Sequence, residues 1–140
     1  LGFAFKSNTN DTRESAAITI CKDLLDEGAD LFIHDPKVNV KQIESDLKVL
    51  SKSSKSDTLS FDKKEGEGTW IFSNKIDNAF VNTDAILILT EWEEYTKIDW
   101  KEAYKKMRKP AWLFDARSII DPKNVIDVGI NFWRIGDGLT

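Results

Sequence analysis

The chain has 140 residues, about the length of one domain, and its hydrophobic fraction of 41%, with five Trp and eight Phe, excludes a disordered chain. Its net charge of -4 argues against non-specific nucleic-acid binding. A single Cys and a single His exclude an intrachain disulfide and a typical structural zinc site, which fits a reducing, cytoplasmic setting, and no apolar run approaches the ~20 residues that cross a bilayer.

Leu1-Gly2-Phe3-Ala4-Phe5 reads as a buried strand that opens the sequence without Met or polar leader, so a piece of a longer protein is expected. Ser7 to Asp11 are turn and cap formers. Asp11 with Glu14 resembles a capping box, predicting a helix over Thr12 to Glu27 with Ala17, Ile20, Cys21, Leu24 and Leu25 as its apolar stripe and Gly28 as its stop. Asp30 to His34 reads as a second strand ended by Asp35-Pro36, and Val40 to Leu50 as a second helix. The stretch from Ser51 to Gly68 is rich in Ser, Lys, Asp and Gly and reads as a mobile insertion.

Thr69 to Phe72 reads as a short strand and Lys75 to Asn82 as a helix. Ala85 to Leu89 is a strongly apolar strand, followed by a loop at Thr90-Glu91-Trp92. A helix over Asp99 to Arg108 stops at Pro110. Ala111 to Phe114 and Ile130 to Ile135 read as the last strands. Strands without period-two alternation, interleaved with helices, predict an α/β, Rossmann-like three-layer sandwich: a mostly parallel sheet with helices on both faces. One domain over residues 1–140 is expected. Ligands of such sheets bind beyond the C-terminal strand ends.

The first strand-to-helix turn reads Lys6-Ser7-Asn8-Thr9-Asn10-Asp11, with none of the glycines of a dinucleotide-binding turn. Lys6 and Arg13 flank this turn and Arg117 follows a later strand end, so three cations at strand ends of an acidic domain point to a small anionic ligand. The plainer reading pairs Arg13 with Asp11 or Glu14 and leaves Lys6 to solvent. Asp35 lies where a ribose-binding acid would sit, but a turn with Pro36 accounts for it. Cys21 is on the apolar stripe of the first helix and reads as core, and His34 as a strand-end residue. The Trp residues read as core, with Trp92 alternatively edging a pocket. No Ser-His-Asp or metal-ligand spacing is present, so no catalytic and no metal residue is assigned.

The run Gly2-Phe3-Ala4-Phe5-Lys6, Thr9, Asp11-Thr12-Arg13-Glu14-Ser15 is similar to the motif that opens the UDP-binding domain of the UDP-glucose/GDP-mannose dehydrogenase family. Asp35-Pro36-Lys37-Val38, Thr90-Glu91-Trp92, Lys109-Pro110-Ala111 and Phe114-Asp115-Ala116-Arg117 follow in the family's order, so the resemblance covers nearly the whole chain. The resemblance implies a C-terminal domain of an enzyme that oxidises the C6 hydroxyl of UDP-glucose to a carboxylate with two NAD. An N-terminal NAD-binding domain and a central helical domain carrying the catalytic Cys would be its partners, in a homo-oligomeric parent. Phe5, Lys6 and Arg117 match UDP-sugar contacts, and Arg13 matches an Arg that reaches NAD on the other domain. Cys21 does not match the catalytic Cys. Ala116 stands where the family often has Gly.

The Asp-Thr-Arg-Glu-Ser form resembles the UDP-glucose branch more than the UDP-N-acetylmannosamine or GDP-mannose branches. Weak or absent nucleotide binding and no turnover are expected of the chain alone, with no nucleic-acid or membrane partner. The rival readings are a receiver-like or flavodoxin-like binding module and a dehydrogenase holding NAD on its own first turn.

Overall fold

The computed structural model describes residues 1–52 and 65–136. Five short strands, β1 (Asp30–Ile33), β2 (Thr69–Phe72), β3 (Ala85–Ile88), β4 (Trp112–Asp115) and β5 (Asn131–Arg134), alternate with helices α1 (Ala16–Asp26), α2 (Val40–Leu47), α3 (Trp100–Lys106) and α4 (Pro122–Ile126). Strand β1 pairs in parallel with β2, and β3 with β4 and β4 with β5, also in parallel.

The opening residues join these two sheets. The Leu1 amino group donates to the Leu87 carbonyl at 2.6 Å and the Leu87-side strand answers with Leu89 N–H to the Leu1 carbonyl at 2.8 Å. That is the bonding pattern of a parallel pair. On the other side Gly2 N–H donates to the His34 carbonyl at 2.8 Å. The strand expected over Leu1–Phe5 is therefore only a two-residue bridge, bonded on both edges at Leu1 and Gly2 but not regular, because Gly2 sits at a φ of 92° and the chain bends from Ala4 onward. Counting it, the spatial order of strands is 3-2-1-4-5-6, the doubly wound Rossmann order. The order in which strands are added reverses between the opening segment and β3, and this is the switch point where such folds bind ligands.

Helix α1 starts later than the sequence predicts. Its N-cap is Ser15, whose Oγ accepts from Ala17 N–H at 3.2 Å and donates to the Phe3 carbonyl at 2.8 Å. Asp11 is instead turned onto Arg13, and Glu14 sits at a φ of 59°, outside the helical region that a capping-box glutamate needs. The cap that also ties down the first strand prevails over the one that caps the helix alone. Ala17, Cys21 and Leu25 form the buried stripe. At the other end Gly28, at a φ of 86°, donates to the Leu25 carbonyl and Ala29 to the Leu24 carbonyl, which is a Schellman stop.

Helix α2 ends at Leu47, where Lys48 turns left-handed at a φ of 57°. The predicted helix over Lys75 to Asn82 is a 3₁₀ turn over Ile76–Phe80, a second 3₁₀ turn spans Glu93–Lys97, and α4 was not predicted although Asp121-Pro122 supplies its cap and first residue. Helices α1 and α2 pack together with α1 on β1, α3 packs on the first 3₁₀ turn, and α4 on β5. Trp70, Tyr95, Phe3 and Phe80 are fully buried in the core, each stabilising the fold by about 2–3 kcal/mol.

Of the expected insertion at 51–68, residues 53–64 lie outside the described residues. Its flanks are fixed: Ser51 N–H donates to the buried Glu44 carboxylate at 2.9 Å, Lys52 N–H to the Trp70 carbonyl, and Gly68 N–H to the Leu25 carbonyl. A Cβ on Gly68 would lie 1.8 Å from the Ala29 carbonyl oxygen, so only glycine allows that approach. Among the described residues no helix is long and apolar enough to cross a membrane.

Candidate functional site

Three strand ends meet at the switch point. Arg117, just beyond β4, donates through Nε to the Leu89 carbonyl at 3.0 Å and through Nη2 to the Phe5 carbonyl at 2.8 Å. Its Nη1 lies 3.3 Å from Glu91 Oε2, and the other oxygen of Glu91 accepts from Ser7 N–H at 2.8 Å. One edge of the guanidinium thus grips two backbone carbonyls while the remaining amino group faces a carboxylate. Burial works against ionisation of Glu91, but the Ser7 amide and the Arg117 charge outweigh it and hold the carboxyl below its ordinary value. Phe5 N–H is itself bonded to the Asp11 carbonyl at 2.7 Å, and the Phe5 ring is 44% exposed at the rim. Lys6 is exposed beside it.

Arg13 is separate from this cluster in its bonding. Its Nε and Nη2 clasp the Asp11 carboxylate, with Nη2 at 2.9 Å, and its side chain is 88% exposed. The pairing, which the sequence offered as the plainer reading, pulls the Asp11 carboxyl down to about 2. The structure therefore brings Phe5, Lys6 and Arg117 to one rim and leaves Arg13 facing solvent on the same loop.

The two strand-end acids do not face a ligand. Asp35 is 4% exposed; its Oδ2 accepts from Phe3 N–H, Ala4 N–H and Trp92 Nε1–H, and its Oδ1 from Lys37 N–H and Val38 N–H, all within 3.1 Å. Asp115 is fully buried and accepts from the N–H groups of Arg117, Ile119 and Ile120 at 2.9 Å. Both carboxylates organise backbone loops, which removes the ribose role considered for Asp35 and the acid cluster a receiver-like domain needs. Trp92 is buried against Asp35 rather than edging a pocket. His34 Nδ1 is 2.9 Å from the Tyr95 hydroxyl, which donates to the His34 carbonyl, and burial lowers the imidazole to about 4. Burial raises the Cys21 thiol to about 11, so it is a core side chain and no nucleophile.

The first turn does not form a dinucleotide cradle. At the start of α1 the Ala17 N–H meets the Ser15 hydroxyl and the Ile18 N–H the Ser15 carbonyl, and the loop before them turns back through left-handed Asn8 and Glu14 without glycine. Among the described residues no group of His, Cys, Asp and Glu could hold a metal ion. A cleft of about 750 Å³ lies beside Leu1 and Gly2, lined along β1 by Asp30 to Ile33 and along β3 by Ala85 to Leu87. It contains none of the converging donors, so the switch point, and not this cleft, is the candidate site. The sequence had singled out Phe5, Lys6 and Arg117 but named Glu91 only within a motif and missed Ser7. Their signal was position: both lie in the loops that follow a strand, Glu91 in the one after β3 and Ser7 in the turn after the opening segment.

A parallel sheet of doubly wound order that gathers Arg and backbone donors at its switch point, without a glycine cradle, is a Rossmann-like domain of the anion-binding kind. The description "UDP-glucose/GDP-mannose dehydrogenase family, UDP binding domain" fits residues 1–122, and the chain belongs to that family. It is 43% identical over 136 residues to the UDP-glucose 6-dehydrogenase of Drosophila melanogaster, covering 97% of this chain and 27% of that protein. It is 38% identical over 141 residues to UDP-glucose 6-dehydrogenase 3 of Arabidopsis thaliana, covering 99% of this chain and 29% of that one. The chain thus spans under a third of the relatives it matches. The crystal structure of an NDP-N-acetyl-D-galactosaminuronic acid dehydrogenase from Methanosarcina mazei Go1 superposes with a TM-score of 0.62 at 22% identity, over 96% of this chain and 23% of that one, and shares the fold.

Proposed function

We propose that this chain is the UDP-sugar-binding domain of a UDP-glucose 6-dehydrogenase whose full-length form oxidises UDP-glucose to UDP-glucuronate with NAD. The observation that carries the reading is the convergence of Arg117, Phe5 and Ser7 on one rim at the switch point, with Lys6 beside them. A pyrophosphate presents the charge that an Arg fork and a Lys neutralise, and the exposed Phe5 ring offers an apolar face to a base. The choice of UDP-glucose rests on relatives that carry that name at 43% and 38% identity.

NAD supplies the hydride acceptor in such an oxidation, and this chain's own turn does not fit it. Arg13, exposed and turned to solvent, is the residue placed to meet NAD held by another domain. Residues 1–140 act as one domain, beside an NAD-binding and a helical domain of the same homo-oligomeric protein. Alone, the chain binds UDP weakly and turns nothing over, because closure against the other domains completes the site.

The test is a titration of the chain with UDP, followed by amide chemical shifts, beside a Lys6→Ala/Arg117→Ala double variant. Shifts at Phe5, Ser7 and Arg117 that vanish in the double variant are expected. Equal binding by both proteins places the nucleotide elsewhere and overturns the assignment.

A further inference from the structure

We infer that Glu91 is a built-in anion that holds the phosphate position of this site until nucleotide displaces it. The inference rests on the UDP-site reading above and concerns a residue to which that reading gives no role.

Glu91 spans two donors that belong to different strand ends. Its Oε1 takes the Ser7 N–H at 2.8 Å and its Oε2 faces Arg117 Nη1 at 3.3 Å. The other donors of Arg117 are engaged by backbone carbonyls, Nε by Leu89 and Nη2 by Phe5, and Nη1 is the nitrogen that meets the carboxylate. Glu91 and Arg117 are each about one-third exposed, at 31% and 35%, so the pair stands at the surface and is open to an incoming ligand. A carboxylate held by an Arg and a backbone N–H has the donor requirement of a phosphate oxygen. The two cannot share those donors, and two anions there would repel one another.

Displacement leaves the guanidinium in place, because its two backbone carbonyls do not depend on Glu91. It releases the Ser7 N–H and Nη1 together, which a single diphosphate takes. Glu91 thereby keeps the cationic rim satisfied in the empty domain and sets the affinity from the protein's side. A structural clasp and a competitor have opposite signatures. Loss of a clasp loosens the loops and weakens binding, whereas loss of a competitor weakens the fold slightly and strengthens binding.

The experiment compares the chain with its Glu91→Gln and Glu91→Ala variants, using UDP and inorganic pyrophosphate as probes and amide shifts as readout, with thermal unfolding recorded on each. Gln keeps an oxygen for the Ser7 N–H and loses the charge. Both variants are expected to bind both probes about five-fold tighter, the scale of one surface charge pair, while melting no higher than the parent. In the parent, the Ser7 amide resonance moves on saturation because its acceptor changes from carboxylate to phosphate. Variants that bind no tighter than the parent, whether all bind alike or none binds, overturn the inference. Arg117→Ala separates this from the site assignment: UDP binding abolished by Arg117→Ala but not tightened by Glu91→Gln leaves the site standing and removes only the role of Glu91, and binding indifferent to Arg117 removes both.

Discussion

Arg117 Nη2 donates to the Phe5 carbonyl at 2.8 Å across 112 residues of sequence. This single bond joins the ends of the opening strand and β4, on either side of β3, whose own end is gripped by Arg117 Nε through Leu89. The cation proposed to meet the ligand also bonds the strand-end loops to one another, so the candidate site and the loop geometry are coupled through one side chain.

Arg117→Lys is accordingly expected to fail as a conservative change. An ammonium cannot reach two carbonyls in one plane and face an anion as well. UDP affinity should fall by about ten-fold or more, close to the effect of Arg117→Ala, whereas stability should change by no more than about 1 kcal/mol because the side chain is one-third exposed. Calorimetric titration and urea unfolding of the two variants check this. A Lys variant with parental affinity would show that charge alone suffices.

Asp35→Asn is expected to damage the fold rather than a ligand contact. The amide nitrogen replaces one acceptor, so either the N–H groups of Phe3 and Ala4 with the Trp92 indole, or those of Lys37 and Val38, lose their partner. Leaving buried donors unsatisfied costs about 2–4 kcal/mol here. Urea denaturation should show that loss even where no nucleotide is present, and an unchanged midpoint would count against the hub role.

Gly2→Ala tests the close approach that closes the sheet. Gly2 has a φ of 92°, and a Cβ there would lie 2.5 Å from Thr90 Cβ and Oγ1. Thr90 is buried and its hydroxyl donates to the Ala4 carbonyl at 2.8 Å, so it has no free direction in which to move. A loss of about 2 kcal/mol or more is expected, with the Thr90→Gly/Gly2→Ala double variant recovering part of it. Additive losses in the double variant would assign the strain to the backbone, the positive φ of residue 2 and its 2.7 Å approach to Thr90 N, rather than to the Thr90 side chain.

Strands β1 to β5 were legible as short runs between turn residues, and Thr69–Phe72 appears with the bounds its sequence predicts, whereas the opening run Leu1–Phe5 bonds to its neighbours as a strand only at Leu1 and Gly2. Helix ends were less legible where a polar residue could cap either of two structures. Asp11 and Ser15 are both cap formers four residues apart, and only the distant Phe3 carbonyl, which Ser15 also bonds, decides between them. The same limit applies to the site. Arg117 was visible as a cation after a strand, but its bond to Phe5 and its contact with Glu91 depend on which strands become neighbours, and no local pattern carries that. Asp35 left a ribose role and a turn with Pro36 both open for the same reason: a carboxylate at a strand end reads alike whether it meets a ribose or the next loop's amides.

His34 gives the chain a pH dependence with a defined sign. The imidazole is 5% exposed, and burial, with the Leu1 amino group adding and Asp35 opposing, lowers it from 6.5 to about 4. In the unfolded chain the ring binds a proton as pH falls through 6.5, while the folded chain resists until about 4. The unfolded state therefore holds more protons in that window, and stability falls as pH drops through it and is full above 6.5. The loss approaches about 3 kcal/mol at the acid end. Asp11, held near 2 by Arg13, loses its contribution only at lower pH, so the two effects separate. Urea midpoints measured from pH 7.5 to 4 should decline for the parent chain and decline less for His34→Gln, whose amide can still meet the Tyr95 hydroxyl without titrating. Parallel curves for the two proteins would assign the acid sensitivity to other groups.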